Sequence, residues 1–230
     1  MRVVGLDLAG SEKRDTGFCV MEATMACRTE VLHTDDEILT KTVAARPSVV
    51  SIDAPLFLPL GRASLETRGP PHLRECDKEL LRMKIRFFPI SLGPMRMLTA
   101  RGMRLRATLE RKNLEVIESF PGAIQDILGM PRKQAGIGRL ERALRRYGVS
   151  WEKRTPLTGD ELDGTTSALV GLMYVKKDYR AIGDPREGLM ILPPLGARTS
   201  GSLPGSMGAG LRGRPSAPRP SAPRSLWSGT

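Results

Sequence analysis

The first twenty residues constrain the fold more than any other part of the chain. A short apolar run, Arg2-Val-Val-Gly-Leu-Asp7, ends in one acid, breaks at small residues and resumes as Thr16-Gly-Phe-Cys-Val20. Two such runs predict a buried strand, a tight turn and an antiparallel return strand. Asp7 then lies near the carboxyl end of the first strand, where a carboxylate favours metal or phosphate chemistry. The alternative is a turn aspartate that caps its own backbone.

Length and charge allow a nucleic-acid-binding domain without requiring one. The chain has 230 residues, enough for one buried core, and a net charge of +11. Five arginines and no acids lie from Gly196 onward, so part of the excess belongs to the C-terminal end. The rest is concentrated in Arg82 to Lys112 and Arg132 to Arg154. This distribution permits binding to a phosphate backbone, and a solvated basic surface is the alternative.

The compartment is predicted from what the sequence lacks. No run approaches the ~18 apolar residues that a membrane span needs. Asp7 interrupts the N-terminal apolar run, so we expect no signal peptide. Three cysteines without metal-site spacing indicate reduced thiols. We therefore expect a cytoplasmic protein with no membrane partner.

Two further runs repeat the pattern of a strand that ends in an acid. Ser48-Val-Val-Ser-Ile-Asp53 precedes Ala-Pro, and Asn113-Leu-Glu-Val-Ile-Glu118 precedes Ser-Phe-Pro121. A proline in the middle of a strand is disfavoured, so each strand is expected to stop near its acid. Predicted helices separate these strands, and the basic segment Met95 to Lys112 is one of them, with its methionines expected in the core.

A predicted helix near the C-terminal end carries two more acids. Thr158-Gly-Asp160-Glu161 has the Thr-x-x-Glu spacing of a capping box, which marks a helix start. Asp160 and Asp163 then lie within one turn of each other. Asp160 also suits a plain N-terminal capping role.

The final stretch, 196–230, differs in kind from the rest of the chain. Glycine, serine, proline and arginine dominate it, and Arg214-Pro-Ser-Ala-Pro is repeated from Arg219. Such a segment has too little apolar surface to offset the entropy lost on ordering. We predict one domain over 1–195 and a disordered basic tail over 196–230.

The strand-terminal acids and the helical acids form one constellation. If Asp7, Asp53 and Glu118 end neighbouring strands and the Asp160/Asp163 helix packs across them, the carboxylates converge and repel unless cations lie between them. Oxygen-only ligands select Mg²⁺ or Mn²⁺. Two such ions suit phosphodiester hydrolysis by water. The order of three hairpin strands followed by alternating helices and strands is that of the ribonuclease H-like fold, an α/β fold with a mixed sheet flanked by helices.

A set of short motifs in this order resembles the DUF429 family, whose members are described as predicted ribonuclease H-like nucleases. The match runs from about Val3 to Pro193. The motifs are Gly5-x-Asp7-x-Ala9, Ile52-Asp-Ala-Pro-Leu56, Arg74-x-Cys-Asp77, Leu81-Arg82, Glu118-x-x-Pro121, Gly138-Arg-x-x-Arg142, Asp160-x-x-Asp163 and Glu187-Gly188.

The resemblance implies a metal-dependent nuclease acting on nucleic acid. It makes Asp7, Asp53, Glu118 and Asp163 the candidate catalytic and metal-binding residues, with Asp160 replacing or assisting Asp163. It also implies that Arg74 and Arg82 hold a substrate phosphate or bridge the acids. The chain departs from the pattern after Asp163, where Gly164-Thr165-Thr166 stands in place of alanine and weakens a helix start.

Two other functions remain open at this point. One is a nucleotide-binding relative of the actin-like ATPases, in which Asp163-Gly-Thr-Thr would form a second phosphate loop. The other is a non-catalytic nucleic-acid-binding or protein-binding module on the same fold, for which salt-sensitive binding survives loss of the acids.

Overall fold

The computed structural model describes residues 1–152, 156–194 and 196, and these residues build one sheet with helices on both faces. The strands are β1 (Arg2–Asp7), β2 (Thr16–Glu22), β3 (Ala26–Leu32), β4 (Val50–Asp53), β5 (Val116–Ser119), β6 (Ser150–Trp151), β7 (Arg180–Ile182) and β8 (Met190–Leu192). The helices are α1 (Asp35–Ala45), α2 (Glu75–Arg82), α3 (Gly93–Glu110), α4 (Pro121–Ile127), α5 (Ile137–Tyr147) and α6 (Gly159–Val175), with a 3₁₀ turn over Lys133–Ala135.

The sheet confirms the predicted α/β fold class. Its strand order is β6-β3-β2-β1-β4-β5-β8-β7. β1, β2 and β3 form the predicted antiparallel meander, and β4 and β5 continue the sheet parallel to β1. Three antiparallel strands followed by parallel ones give the ribonuclease H-like arrangement. The carboxyl ends of β1, β4 and β5 therefore meet at one edge.

Alternation along β1 divides the core into two halves. Val3, Gly5 and Asp7 point to one face, and Val4 and Leu6 point to the other, because successive side chains of a strand alternate. The first face packs against α4, α5 and α6, and the second packs against α1 and α3. Since both faces are covered, β1 is apolar on both sides between the exposed Arg2 and the final acid.

Helix α6 lies unusually close to the sheet because glycines form the contact. A Cβ added at Gly5 would stand 2.2 Å from the backbone nitrogen of Ala168 and 2.2 Å from the carbonyl oxygen of Gly164. A Cβ added at Gly17 would stand 1.9 Å from the carbonyl oxygen of Asp160. No real side chain tolerates such distances, so this helix can rest on β1 and β2 only where they carry glycine.

The start of α6 agrees with the predicted capping box. The Thr158 hydroxyl accepts from the Glu161 backbone at 3.1 Å, and the Glu161 carboxylate accepts from the Thr158 backbone at 2.9 Å. The sequence also predicts that Gly164-Thr165-Thr166 weakens the helix start, whereas α6 is continuous from Gly159 to Val175. The second phosphate loop of the ATPase alternative is therefore not formed, since its residues lie inside a helix.

Two local expectations differ from the structure, and two short strands were not predicted. β6 and β7 have two and three residues, too few for their pattern to stand out in the sequence. β5 ends at Ser119, one residue beyond the predicted Glu118. Met97, expected in the core, is 58% exposed on α3, whose buried face is formed by other side chains such as Leu105 and Leu109.

The predicted disordered tail over 196–230 lies outside the described residues, apart from Gly196. Within the described part of the chain, no helix is both long and apolar enough to cross a membrane.

Candidate carboxylate site

Asp7 and Asp53 stand side by side at the edge where β1 and β4 end. The two residues are partners in the parallel register of these strands. Partners in a parallel register point to the same face, which here is the face covered by α6. The side chain of Asp7 is 15% exposed. Two of the predicted carboxylates are thus neighbours, as expected from strands that stop at an acid.

The first turn of α6 brings Asp160 and Asp163 to the same place. The capping box fixes where the helix begins, and the Thr29 hydroxyl of β3 donates to the buried Glu161 carboxylate at 2.9 Å. Because α6 rests on glycines of β1 and β2, its first turn reaches the ends of β1 and β4. Both helical acids join the cluster, so neither simply replaces the other.

The centre of the cluster is occupied by Lys133, which sequence reasoning missed. Its ammonium nitrogen lies 3.0 Å from Asp7 Oδ2, 2.8 Å from Asp160 Oδ1 and 2.9 Å from Asp163 Oδ2. An ammonium carries three N–H donors, and each finds one carboxylate here. The only sequence signal was the membership of Lys133 in the basic stretch Arg132 to Arg154, which does not single out one residue.

Asp163 has a second fixed contact through Gln125, which was also not predicted. The Gln125 amide, buried on α4, donates to Asp163 Oδ1 at 2.7 Å and to the Thr166 hydroxyl at 3.3 Å. One oxygen of Asp163 thus faces Gln125 and the other faces Lys133. A carboxylate held from both sides is oriented before any ligand arrives.

Asp53 is the carboxylate without a partner. Among residues 1–152, 156–194 and 196, no hydrogen bond or ion pair reaches its side chain. Beside it in the register lies Ser119, whose buried hydroxyl also has no hydrogen-bond partner in the described chain. Unpaired buried polar atoms are uncommon in proteins, so the Ser119 hydroxyl beside Asp53 makes this edge of the sheet a candidate place for a ligand.

The crowding of acids changes their protonation. Burial raises the pKa of Asp7 to about 7, the nearby Asp163 adds to the rise, and the Lys133 ammonium opposes it. Burial also raises the pKa of Asp53 well above its ordinary range, with further contributions from the charges of Asp7 and Asp163. Burial alone would lower the pKa of Lys133, but the charges of Asp7 and Asp163 outweigh it and raise the pKa. One lysine therefore does not neutralise this site.

Glu118 is not part of the cluster, contrary to the role predicted for it as a metal ligand. Its register partner in β4 is Ile52, so it points to the face opposite Asp53. Its buried Oε2 accepts from Arg74 Nη1 at 2.7 Å and from the Leu56 backbone at 2.8 Å. Asp7, Asp53, Asp160 and Asp163 form the site, and Glu118 fixes the loop after β4.

The two predicted phosphate-binding arginines are placed differently from each other. Arg74 is 3% exposed and bridges Glu118 and Asp77, so it has no access to a substrate. It fulfils the alternative role of bridging acids. Arg82 is 65% exposed and pairs with Glu75 at 3.1 Å on the surface of α2. Neither guanidinium contacts the carboxylate cluster.

We expect Glu118→Gln to destabilise the fold and leave the carboxylate site intact. The substitution leaves the buried Arg74 charge less well compensated, at a cost of about 3 kcal/mol in the free energy of unfolding. Urea unfolding measures the loss. Glu75→Gln is the matched control, because Glu75 pairs with Lys78 and Arg82 at the surface and its removal changes stability little. Equal stability of the two variants would contradict a structural role for Glu118.

An open cleft of about 520 Å³ adjoins the cluster. Asp7, Asp160 and Lys133 form its floor, and Met95 and Leu98 at the start of α3 contribute apolar surface. Arg14, in the loop between β1 and β2, lines it as well. This cleft is large enough for a phosphodiester and part of a nucleotide, and two of the four carboxylates, Asp7 and Asp160, line it.

Arg101 fixes the wall of the cleft on the α3 side. Its buried guanidinium donates to the carbonyls of Ala9 and His33 and to the Asp35 carboxylate, at 2.8, 2.6 and 2.7 Å. These bonds tie the loop after β1 to α1 and α3. The loop that directly follows Asp7 is therefore held in place.

The donor set fits a hard divalent cation, although a lysine stands at its centre. Within the described residues, no three acids, histidines or cysteines are arranged as a formed metal site. Three carboxylate oxygens nevertheless surround one cation, the Lys133 ammonium, and a fourth carboxylate lies unpaired beside them. Oxygen-only donors with surplus negative charge are what Mg²⁺ prefers.

Comparison with known proteins gives similarity of overall structure only. No protein-family model matches the chain, and no curated protein sequence does. A structure of T. thermophilus RuvC in complex with Holliday junction substrate has a TM-score of 0.46 and 14% identity, covering 76% of this chain and 96% of that one. A structure of Thermus thermophilus RuvC has a TM-score of 0.43 and 14% identity, covering 77% and 97%. At these values the likeness carries nothing about the chemistry of the site.

Proposed function

We propose that the protein is a metal-dependent nuclease that hydrolyses phosphodiester bonds of nucleic acid. The observation that supports this proposal is the convergence of three carboxylates from β1 and α6 on one cation, with Asp53 unpaired beside them. A structural ion pair rarely gathers three acids around a single lysine, with a fourth acid beside them, next to an open cleft. Such a surplus of charge is useful where a divalent cation binds.

The residues divide into those that would hold the ion and those that would meet the substrate. Asp7, Asp53, Asp160 and Asp163 would be the ligands of Mg²⁺, or of Mn²⁺ in its place. A bound ion in such a site activates water and offsets the negative charge that develops on the phosphate. Gln125 keeps Asp163 oriented through its hydrogen bond.

The cleft supplies contacts that suit a nucleic-acid strand. Arg14 is exposed at its rim, and within the described chain its guanidinium makes no hydrogen bond or ion pair, so it is available to a phosphate. Met95 and Leu98 offer an apolar wall against which a sugar or base can pack.

The prediction of two ions, rather than one, is tested by the stoichiometry of metal binding.

We further propose that the chain is related to the DUF429 family. The support is the order of the motifs, and four of the acids that those motifs contain, Asp7, Asp53, Asp160 and Asp163, lie together in the structure. Glu118 and Arg74 would serve the fold of such proteins rather than their chemistry, because here they form a buried ion pair.

The direct test is cleavage of labelled DNA, RNA, hybrid and branched substrates with Mg²⁺. We expect the parent to cut. The cleavage rate of Asp7→Asn should be at least ~100-fold lower, because this substitution removes a carboxylate that would bind the activating metal ion. Asp178→Asn, an exposed acid beyond the far end of α6, is the matched control and should cut like the parent. Cutting that persists in excess EDTA would contradict the metal mechanism.

A non-catalytic nucleic-acid-binding module is the second candidate, and the observation that favours it is the lysine at the centre of the cluster. In that case neither the parent nor Asp7→Asn cuts any substrate, and both bind nucleic acid with the same steep salt dependence. Cleavage and binding measured on the same substrates therefore separate the two functions.

A further inference from the structure

The side chain of Lys133 reaches the carboxylate cluster from a turn that contacts α4. Lys133 opens the 3₁₀ turn, directly after Arg132. Arg132 is tied to Asp126 by two hydrogen bonds of 3.0 and 2.5 Å, and its guanidinium lies 5.8 Å from the centre of the Phe120 ring. These contacts tie the residue that precedes Lys133 to α4.

The path of this side chain is shaped by a glycine. A Cβ added at Gly159 would stand 3.1 Å from Cδ of Lys133, tighter than an ordinary contact. The first residue of α6 therefore leaves room for the aliphatic stem to pass over the helix. With 29% of its side chain exposed, Lys133 lies at the border between the cluster and the open cleft.

We propose that Lys133 is an internal cation that competes with the divalent metal for the carboxylates of Asp7, Asp160 and Asp163. This inference rests on the metal site of the proposed function. The ammonium lies within 3.0 Å of one oxygen from each acid, and those oxygens are the ones a metal ion would need. When a metal binds, the flexible lysine stem swings into the cleft.

Simple geometry and charge make the two cations exclusive. Mg²⁺ binds oxygens at about 2.0–2.1 Å, so an ion shared by the same three oxygens takes the place of the ammonium. Two cations so close would repel each other strongly. Lys133 therefore stabilises the metal-free cluster and, to the same extent, weakens metal binding, because displacing it is part of the binding free energy.

The inference predicts opposite effects of one substitution on two measurements. Lys133→Met keeps the aliphatic stem and removes the charge. We expect it to bind Mn²⁺ at least ~10-fold more tightly than the parent by isothermal titration, and to melt at a lower temperature in EDTA. Lys133→Arg keeps the charge and should bind Mn²⁺ no more tightly than the parent. Lys41→Met, which removes an exposed lysine paired with Glu30, should change neither quantity.

The outcomes distinguish failure of the competition by Lys133 from failure of the proposed metal site. Equal Mn²⁺ affinity in Lys133→Met and the parent overturns the competition while leaving the metal site standing. Binding by Lys133→Met alone supports the competition and contradicts a metal-dependent activity of the parent. Absence of binding in both overturns both proposals. If Lys133→Met is unfolded in EDTA, recovery of its circular dichroism with millimolar Mn²⁺ supports the inference, and failure to recover overturns it.

Discussion

Replacing Gly5 by alanine is expected to lower the melting temperature by roughly 10 °C, or to prevent folding. The added Cβ would stand 2.2 Å from two backbone atoms of α6, which cannot turn aside as a side-chain tip does. The helix must therefore lift from β1, and overpacking of this kind costs about 3 kcal/mol or more. A domain of this size loses about 2–4 °C per kcal/mol.

The matched control for this experiment is Gly138→Ala. A Cβ at Gly138, in the first turn of α5, would stand 3.5 Å from the mobile guanidinium of Arg142, an ordinary contact. Alanine favours a helix by about 0.5–1 kcal/mol over glycine, so this variant should be as stable as the parent or slightly more so. Thermal unfolding followed by circular dichroism measures both. Similar melting temperatures for the two variants would show that α6 is not held against glycine at Gly5.

The same close contact explains why a sequence feature that weakens a helix occurs in α6. From propensity alone, Gly164-Thr165-Thr166 disfavours a helix. In the structure, a Cβ at Gly164 would stand 2.8 Å from the carbonyl oxygen of Gly17, so glycine is needed there too. The hydroxyls of Thr165 and Thr166 donate to the carbonyls of Glu161 and Leu162 one turn earlier. Packing of α6 against the sheet overrides the low helix propensity of these residues. Helix propensity alone cannot predict this, because the packing involves residues far away in the sequence.

The positions of Asp7 and Asp53 were predictable because strand patterns are local. Each acid ends an apolar run, and parallel neighbours place their carboxyl ends at one edge of a sheet. Glu118 ends a similar run, but it differs by one step in the alternation: Ser119, not Glu118, pairs with Asp53. A shift of one residue moves a side chain to the other face, and the sequence pattern does not resolve a single step.

Lys133 and Gln125 were not predictable for another reason. Both act through contacts between residues far apart in sequence: 126 positions separate Lys133 from Asp7, and 38 separate Gln125 from Asp163. Neither lies in a motif that carries chemistry on its own. Their roles appear only once α4, the 3₁₀ turn and α6 are packed together on the sheet.

Asp53→Asn is expected to stabilise the metal-free protein and to weaken metal binding strongly. In the absence of metal, Asp53 is an unpaired carboxylate beside Asp7 and Asp163, and burial and these charges raise its pKa. Asparagine removes a half-buried carboxylate that the neighbouring charges repel, so we expect the free energy of unfolding to rise by about 1 kcal/mol. Loss of a ligand should weaken Mn²⁺ binding by at least ~100-fold.

The stability that Asp53→Asn gains in the absence of metal should increase with pH. The pKa of Asp7 is raised to about 7 by burial and by its neighbours, above its value in the unfolded chain. Between the two values the folded state binds more protons, so the metal-free parent loses stability as the pH rises towards and through 7. Asp53 itself has a pKa well above its ordinary range, so it becomes charged only as the pH rises, and asparagine removes that charge. The stabilisation in EDTA should therefore be larger at pH 8 than at pH 5.

Melting curves in EDTA at both pH values, followed by Mn²⁺ titration, test this prediction together with Asp178→Asn as control. A catalytic ligand and a structural acid behave oppositely here: loss of a structural acid such as Glu118 lowers stability, whereas loss of Asp53 should raise it. A site that is costly to the metal-free fold persists only if something else binds there. An Asp53→Asn variant that is less stable than the parent in EDTA and binds Mn²⁺ as well would show that Asp53 serves the fold, and would remove it from the proposed site.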